Sequence, residues 1–230
     1  MVYGYEPEEL ERMKQTVLDI FDVFAAICEK YEIPYFVQGG TAIGAVRHRG
    51  YIPWDDDIDV GMLRDDYERF LQVAPGELAP TYEIIDGYHD KNCPDYITRI
   101  SKIGTKQVSK EHTKYKVDNL GISMDIFPYD NVPEDKALRK KQVRARDWYN
   151  RLHILWCIPN PDIPEKGLKP MLMKASCFVA HFFIRLFASG DRIGQKHKQA
   201  LMRYHNKTEL VTSMCDIRPE DWICLLYTSD

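Results

Sequence analysis

The sequence has no CxxC pair, no tight cysteine–histidine spacing, no internal repeat and no low-complexity tract. Its six cysteines are scattered, which argues against a zinc site or a disulfide framework and predicts free thiols in a reducing cytoplasm. Basic residues are not in excess, because the formal net charge is -4 and the pI is about 6.0. This balance argues against nucleic acid as a general partner.

The N-terminal residues are polar and acidic and show no signal-peptide pattern, so a cytoplasmic location is expected. The most apolar stretch, residues 171–188, is interrupted by Lys174, His181 and Arg185. It is too short for a clean membrane span and predicts a buried or half-buried helix. The alternative is a helix lying on the inner face of the membrane, with those three residues along its polar side.

The order of elements predicts an α/β (α+β) fold with a mixed sheet flanked by helices. A mixed region, residues 1–133, is expected to precede a helical C-terminal region, residues 134–230. A proline-rich loop is expected at residues 158–170. Strands are predicted at residues 34–38, 57–63, 81–86, 96–103 and 121–129, and helices at residues 7–31, 41–50, 64–74 and 134–149.

Residues 53–60, "PWDDDIDV", crowd four aspartates into five positions. Ionised carboxylates this close repel one another, so the arrangement needs a compensating cation. On a strand, Asp55, Asp57 and Asp59 would share one face while the residues between them point to the other. The pattern predicts a site for Mg²⁺ or Mn²⁺, hard cations that prefer oxygen ligands.

Two other interpretations of this segment are open. A solvated acidic loop is the ordinary fate of a charge run, although Ile and Val do not usually interleave such a loop. A calcium-binding module is the second, because the three alternating aspartates match the first ligand positions of an EF-hand. The match then fails at Val60, where glycine is required, and at Asp66, where a bidentate glutamate is required.

Upstream, "VQGGTAIG" places Gly39, Gly40 and Thr41 at a strand-to-helix turn. Glycines let a phosphate approach the backbone, and a helix N-terminus offers free N–H groups. A glycine pair alone is more often simply a turn, but here a strand with aspartates follows closely. Downstream, Asp125 lies in the apolar strand "GISMDIFPY", where an aspartate is costly unless it is paired or metal-bound.

Arg47 and Arg49 lie at the end of the helix that follows the glycine turn. Their guanidinium groups are candidates for forked hydrogen bonds to a phosphate. The equally weighted alternative is that they offset the helix dipole. His48, between them, is expected to be structural.

The segment "GGTAIGAVRHRGYIPWDDDIDVGM", together with "MDIFPYDNVP", closely resembles the LicD family of phosphotransferases. The resemblance covers residues 7–133. That family is related to the fukutin-type ribitol-phosphate transferases and is similar to the nucleotidyltransferase (polymerase-β-like) superfamily. The resemblance therefore implies a nucleotidyltransferase-like core in residues 1–133.

The resemblance also implies an activity: transfer of phosphocholine, or a similar phospho-alcohol, from a CDP-linked donor such as CDP-choline, releasing CMP. The acceptor would be a hydroxyl of a cell-surface glycan such as lipopolysaccharide or teichoic acid. Transfer of an NMP group is the alternative. Family members usually continue beyond the point where this sequence stops, so the C-terminal region is expected to be truncated.

Site residues follow from the same resemblance and from the patterns above. The expected metal ligands are Asp55, Asp57, Asp59 and Asp125, of which Asp57, Asp59 and Asp125 are the expected catalytic residues. The expected donor-phosphate ligands are Gly39, Gly40, Thr41, Arg47 and Arg49.

Overall fold

The structure, a computed structural model, describes residues 6–90, 93–106, 121–159, 161 and 168–213. The helices are α1 (Pro7–Lys30), α2 (Gly39–His48), α3 (Arg64–Leu78), α4 (Lys136–Cys157), α5 (Leu168–Phe187) and α6 (Gly190–Leu201). The strands are β1 (Phe36–Val37), β2 (Asp59–Leu63), β3 (Tyr82–Ile85), β4 (Thr98–Lys102), β5 (Ser123–Asn131) and β6 (Val211–Ser213).

The six strands form one mixed sheet in the order β1-β2-β5-β4-β3, with β6 paired to β5. Strands β2 and β5 are parallel, whereas β1–β2, β4–β5 and β3–β4 are antiparallel. The predicted fold class, a mixed sheet flanked by helices, is confirmed. Parallel neighbours require a crossover, and α3, β3 and β4 all lie between β2 and β5 in the sequence.

The alternation of side chains along β2 and β5 separates a buried face of the sheet from a polar one. Val60, Met124 and Ile126 are fully buried and belong to a core shared with the apolar stripes of α1 and α3. Because side chains alternate along a strand, Asp59 and Asp125 point to the opposite face. The sheet thus anchors both aspartates without burying them in the core.

Several predicted boundaries were wrong. The strand predicted from residue 57 begins at Asp59, so the first aspartates of the acidic cluster lie in the loop before it. Helix α3 continues through Pro75 to Leu78, and α4 continues to Cys157. Of the predicted loop at residues 158–170, the last three residues belong to α5, and residues 160 and 162–167 lie outside the described residues.

The chain divides into two units, residues 1–85 with 97–129, and residues 86–96 with 130–230. That residue 133 separates two independent domains stays a prediction.

The second unit has a markedly polar interior. Gln142, for example, is fully buried, and its Nε2 donates to the carbonyls of Asn131 and Leu201 at 3.1 and 2.8 Å.

His153 is a buried titratable group of this second unit. Its residue is 1% exposed, and its ring stacks on Tyr96 with centroids 4.3 Å apart. Nε2 lies 2.9 Å from the carbonyl oxygen of Cys93, while Nδ1 has no hydrogen-bond partner among the described residues. Burial lowers the pKa of His153 below its ordinary value, against smaller opposing effects of the Cys93 carbonyl and Asp95.

We expect this burial to make stability depend on pH. A lowered pKa means that the unfolded chain binds the proton more tightly, so the contribution of neutral His153 is complete above about pH 6.5 and falls as the pH drops below it. The His153→Gln variant, which keeps a donor for the Cys93 carbonyl, should lose much of this dependence. Urea unfolding between pH 8 and pH 5 measures it, with exposed His48→Gln as the control. An unchanged pH slope in His153→Gln would contradict the assignment.

Candidate functional site

The glycine turn links the start of α2 to the start of β2. The N–H of Gln38 donates to the carbonyl of Asp59 at 3.1 Å, and the N–H of Asp59 donates to Thr41 Oγ1 at 2.9 Å. The first N–H groups of a helix have no partner within the helix. The turn therefore presents the N-terminus of α2 next to the acidic segment. Thr41, predicted as a phosphate ligand, also has this structural role.

At both Gly39 and Gly40 an aspartate carboxylate lies close to the position that a side chain would occupy. Gly39 has φ +55°, in the left-handed region, and a Cβ there would lie 3.2 Å from Asp59 Oδ2. A Cβ on Gly40 would lie 2.5 Å from Asp55 Oδ2, a separation that real side chains do not adopt. The glycine turn and the acidic segment are thus packed against each other, as the sequence hypothesis of one composite site requires.

Three consecutive aspartates converge at the acidic loop. One carboxylate oxygen from each of Asp55, Asp56 and Asp57 lies within 4.8 Å of the other two. The prediction that Asp56 faces away from Asp55 and Asp57 was wrong, because these residues precede β2 and do not follow the alternation of a strand. Asp56 therefore joins the set of candidate ligands.

The crowding of these carboxylates perturbs their ionisation. The pKa of Asp57 is raised to about 6 by partial burial, by the charges of Asp55, Asp56 and Asp125, and by a hydrogen bond with Asp55. The pKa of Asp56 is raised by burial and by Asp55. Deprotonated together, the three carboxylates favour a cation between them.

A second row of charged residues crosses the sheet beside this loop. Asp59 of β2 pairs in register with Asp125 of β5, and Asp125 pairs in register with Arg99 of β4. Arg99 Nε lies 3.3 Å from Asp125 Oδ1. The strands thus bring Asp59 and Asp125 together, as predicted. The charge of Asp125 also helps to raise the pKa of Asp57, so this row lies close enough to act on the acidic loop.

The residues present fit a divalent metal ion. Oxygen ligands at about 2.0–2.6 Å from a shared ion suit Mg²⁺, Mn²⁺ or Ca²⁺, and the three loop carboxylates approach one another closely enough to share one. Asp59 and Asp125 lie outside that group of three. Their roles as ligands stay predictions.

Arg47 and Arg49 lie at the far end of α2 from the glycine turn. Eight residues of helix separate Gly39 from Arg47, or about 12 Å along the axis. Both arginines are exposed, and Arg49 caps the helix in the left-handed conformation, at φ 55°. Their assignment as phosphate ligands stays a prediction.

Two cations of the site, Lys14 and Arg99, were missed by the sequence reasoning. Lys14 is buried, and its Nζ donates to the carbonyl of Pro53 at 2.8 Å, which fixes the start of the acidic loop. A signal was available for Lys14, which occupies the apolar stripe of α1 between Leu10 and Val17. Arg99 lies in the polar strand Thr98–Lys102, whose sequence gives no such signal.

The alternative of an EF-hand is wrong. Its calcium loop would span residues 55–66, but here residues 59–63 form β2 and Asp66 lies in the first turn of α3. Val60, at the position that requires a glycine turn, is fully buried in the sheet core.

Comparison with known protein families identifies the family of this chain. The family model described as "LicD/FKTN/FKRP, nucleotidyltransferase domain" matches residues 32–154, more than half of the chain. The chain belongs to this family. The matched segment contains every predicted site residue. No solved structure matches the chain, so the more distant similarity to polymerase-β-like folds stays a prediction.

Several curated proteins are similar in sequence to parts of this chain. The lipopolysaccharide cholinephosphotransferase LicD of Haemophilus influenzae is 40% identical over 163 residues, 69% of this chain and 60% of that protein. The ribitol 5-phosphate transferase FKRP of Homo sapiens is 35% identical over 51 residues, 22% of this chain and 10% of that protein. An uncharacterized protein of Rickettsia typhi is 48% identical over 46 residues, 20% of this chain and 15% of that protein. The chain therefore spans less than two thirds of the length of each of these relatives.

A methyl group at Gly40 should impair cation binding. Gly40→Ala would push its Cβ into Asp55 and displace that carboxylate from the loop. We expect Mg²⁺ or Mn²⁺ to raise the melting temperature of the unmodified protein by mass action and to raise that of the variant much less. Thermal unfolding with and without metal measures the difference.

Gly76→Ala is the matched control for this prediction. Gly76 lies inside α3, and a Cβ there meets no atom within 4 Å. Its replacement should stabilise the helix by about 0.5–1 kcal/mol and leave the metal-induced shift intact. A full metal shift in Gly40→Ala would contradict the composite site.

Proposed function

We propose that this protein is a metal-dependent phosphotransferase that moves phosphocholine, or a similar phospho-alcohol, from a CDP-linked donor to a hydroxyl of a cell-surface glycan. The observation that carries the proposal is the direct packing of the glycine turn against the carboxylates of Asp55 and Asp59. The printed activities of the relatives, a cholinephosphotransferase and a ribitol 5-phosphate transferase, support the same class of reaction.

The two halves of the site have complementary roles in this proposal. The N–H groups at Gly39, Gly40 and Thr41 bind the donor phosphates, which approach the backbone because neither glycine has a side chain. The carboxylates hold the cation through Asp55, Asp56 and Asp57, with Asp59 and Asp125 beside them. When bound, Mg²⁺ or Mn²⁺ neutralises the donor diphosphate and stabilises charge on the leaving group.

The reaction is a displacement at phosphorus. The acceptor oxygen forms a new bond to the phosphorus that carries the alcohol, and the bond from that phosphorus to the bridging oxygen breaks. CMP leaves with the bonding electron pair. The hydroxyl proton passes to a carboxylate of the site or to water. The chain's own contribution is to position the donor and to hold the carboxylates close enough together to share a cation.

The acceptor in this proposal is a lipopolysaccharide or teichoic-acid type of glycan, and the protein acts in the cytoplasm, at the inner face of the membrane. The glycan follows from the printed name of the Haemophilus influenzae relative. The location follows from the reducing compartment expected for the scattered thiols. Cys28, Cys93, Cys157 and Cys177 are all free in the structure.

Release of CMP from a panel of CDP-alcohols tests the proposed reaction. CDP-choline or CDP-ribitol should give CMP with a glycan acceptor only when Mg²⁺ or Mn²⁺ is present, and EDTA should abolish release. Asp57→Asn combined with Asp59→Asn should be inactive, whereas Glu83→Gln, an exposed carboxylate on β3, should be fully active. Incorporation of NMP with release of pyrophosphate would instead favour a nucleotidyltransferase.

Asp125→Asn distinguishes a site residue from a structural ion-pair partner of Arg99. The change keeps the size of the side chain and removes its charge. We expect turnover to fall by orders of magnitude, each tenfold being about 1.4 kcal/mol of transition-state stabilisation, while the melting temperature without metal holds. A variant that unfolds more easily but whose folded fraction turns over normally would contradict a role in the reaction.

A further inference from the structure

Helix α5 exposes a continuous apolar surface. None of its 20 residues is buried, and Phe182 and Leu186 are each 62% exposed while Phe187 is 77% exposed. An apolar surface of this extent costs free energy in water and marks an interaction site. The exposed apolar residues are Leu168, Met171, Leu172, Met173, Phe178, Val179, Phe182, Phe183, Leu186 and Phe187.

The helix packs within its own unit along one stripe only. Partly buried residues recur every three or four positions, at Lys174, Cys177, His181 and Ile184. This stripe faces α4, since His181 Nδ1 lies 2.6 Å from the carbonyl oxygen of Leu155. The side opposite to it carries apolar residues without a charged one.

The three charged residues of α5 are all cations, and two of them, Lys174 and Arg185, lie on the side that faces α4. Its sequence contains Lys169, Lys174 and Arg185 and has no aspartate or glutamate. Arg185 lies over the Trp156 ring of α4, 4.7 Å from the centroid. An apolar outer face flanked by cations is complementary to an anionic lipid surface, whose headgroups attract cations while its acyl region accepts apolar side chains.

We propose that α5 is an interfacial membrane anchor, which lies in the plane of an anionic lipid bilayer with Phe182, Phe183 and Leu186 inserted. By length and composition the helix would suffice to cross a membrane, with a mean hydropathy of 1.3. A spanning position is incompatible with its packing partner, because α4 carries three Lys, four Arg and one Asp and charges are costly in the bilayer core. An in-plane position leaves α4 in water.

This inference goes beyond the proposed reaction and can be tested separately from it. The full chain should co-sediment with vesicles of phosphatidylcholine mixed with phosphatidylglycerol and bind vesicles of pure phosphatidylcholine more weakly. Phe182→Gln combined with Phe183→Gln should abolish binding to both. Lys169→Gln combined with Arg185→Gln should weaken binding to the anionic vesicles alone, by about 25-fold if each cation contributes about fivefold.

Ile103→Gln combined with Leu138→Gln is the matched control, since both residues are exposed apolar side chains outside α5 and binding should be unchanged. Circular dichroism verifies that each variant is folded. Failure of the unmodified protein to bind anionic vesicles would overturn the proposal. Self-association that depends on Phe182 and Phe183, without lipid binding, would identify the face as a contact between copies. Resistance of the bound protein to alkaline carbonate extraction would instead indicate a spanning helix.

Discussion

Mutual repulsion among carboxylates is the constraint on which the first unit of this protein depends. Asp55, Asp56 and Asp57 are held within reach of one ion, and their crowding opposes folding whenever all three are ionised. The opposing stabilisation comes from the buried face of the sheet, where Val60 and its neighbours pack under α1 and α3. The protein thus uses a well-packed core to hold an arrangement that is unfavourable by itself.

Two cations near this cluster, Lys14 and Arg99, reduce the repulsion between the carboxylates but do not remove it. Lys14 donates to the Pro53 carbonyl at the start of the acidic loop and partly offsets the raised pKa of Asp56. Arg99 pairs with Asp125, one strand away from Asp59. One cation thus acts at the start of the loop and the other on the neighbouring strand. Three loop carboxylates outnumber these contacts, so the loop keeps an excess of negative charge for a ligand.

The part of the site that could be predicted from the sequence is the part governed by local periodicity. Asp59 and Asp125 alternate with buried Val60 and Ile126, so their common face follows from the two-residue period of a strand. Asp56 could not be placed in this way, because the loop before β2 has no period. The roles of Lys14 and Arg99 depend on contacts between residues distant in the sequence. Local patterns indicate only Lys14, as a charge in an apolar stripe.

The exposure of α5 is another feature that could not be predicted from the sequence. Composition predicted a buried or half-buried helix at residues 171–188. A helix is there, but the predicted burial was wrong, because none of its residues is buried and only one stripe is partly buried. Lys174 and His181 belong to that stripe, so the more polar side of α5 faces α4 and the apolar side is exposed, the reverse of what amphipathicity predicts for a packed helix. How much of such a helix is covered depends on its neighbours, and α4 covers only one side.

The Arg99 pair bears on which of two roles Asp125 has in the proposed reaction. A carboxylate beside a guanidinium group at 3.3 Å is stabilised in its ionised form, which suits a group that attracts a cation and makes it a weaker proton acceptor. The parallel register with Asp59 places the same carboxylate next to the metal-binding segment. Both observations favour Asp125 as part of the electrostatic environment of the ion. On this argument the acceptor proton passes to water or to a carboxylate of the site that does not hold the ion, rather than to Asp125.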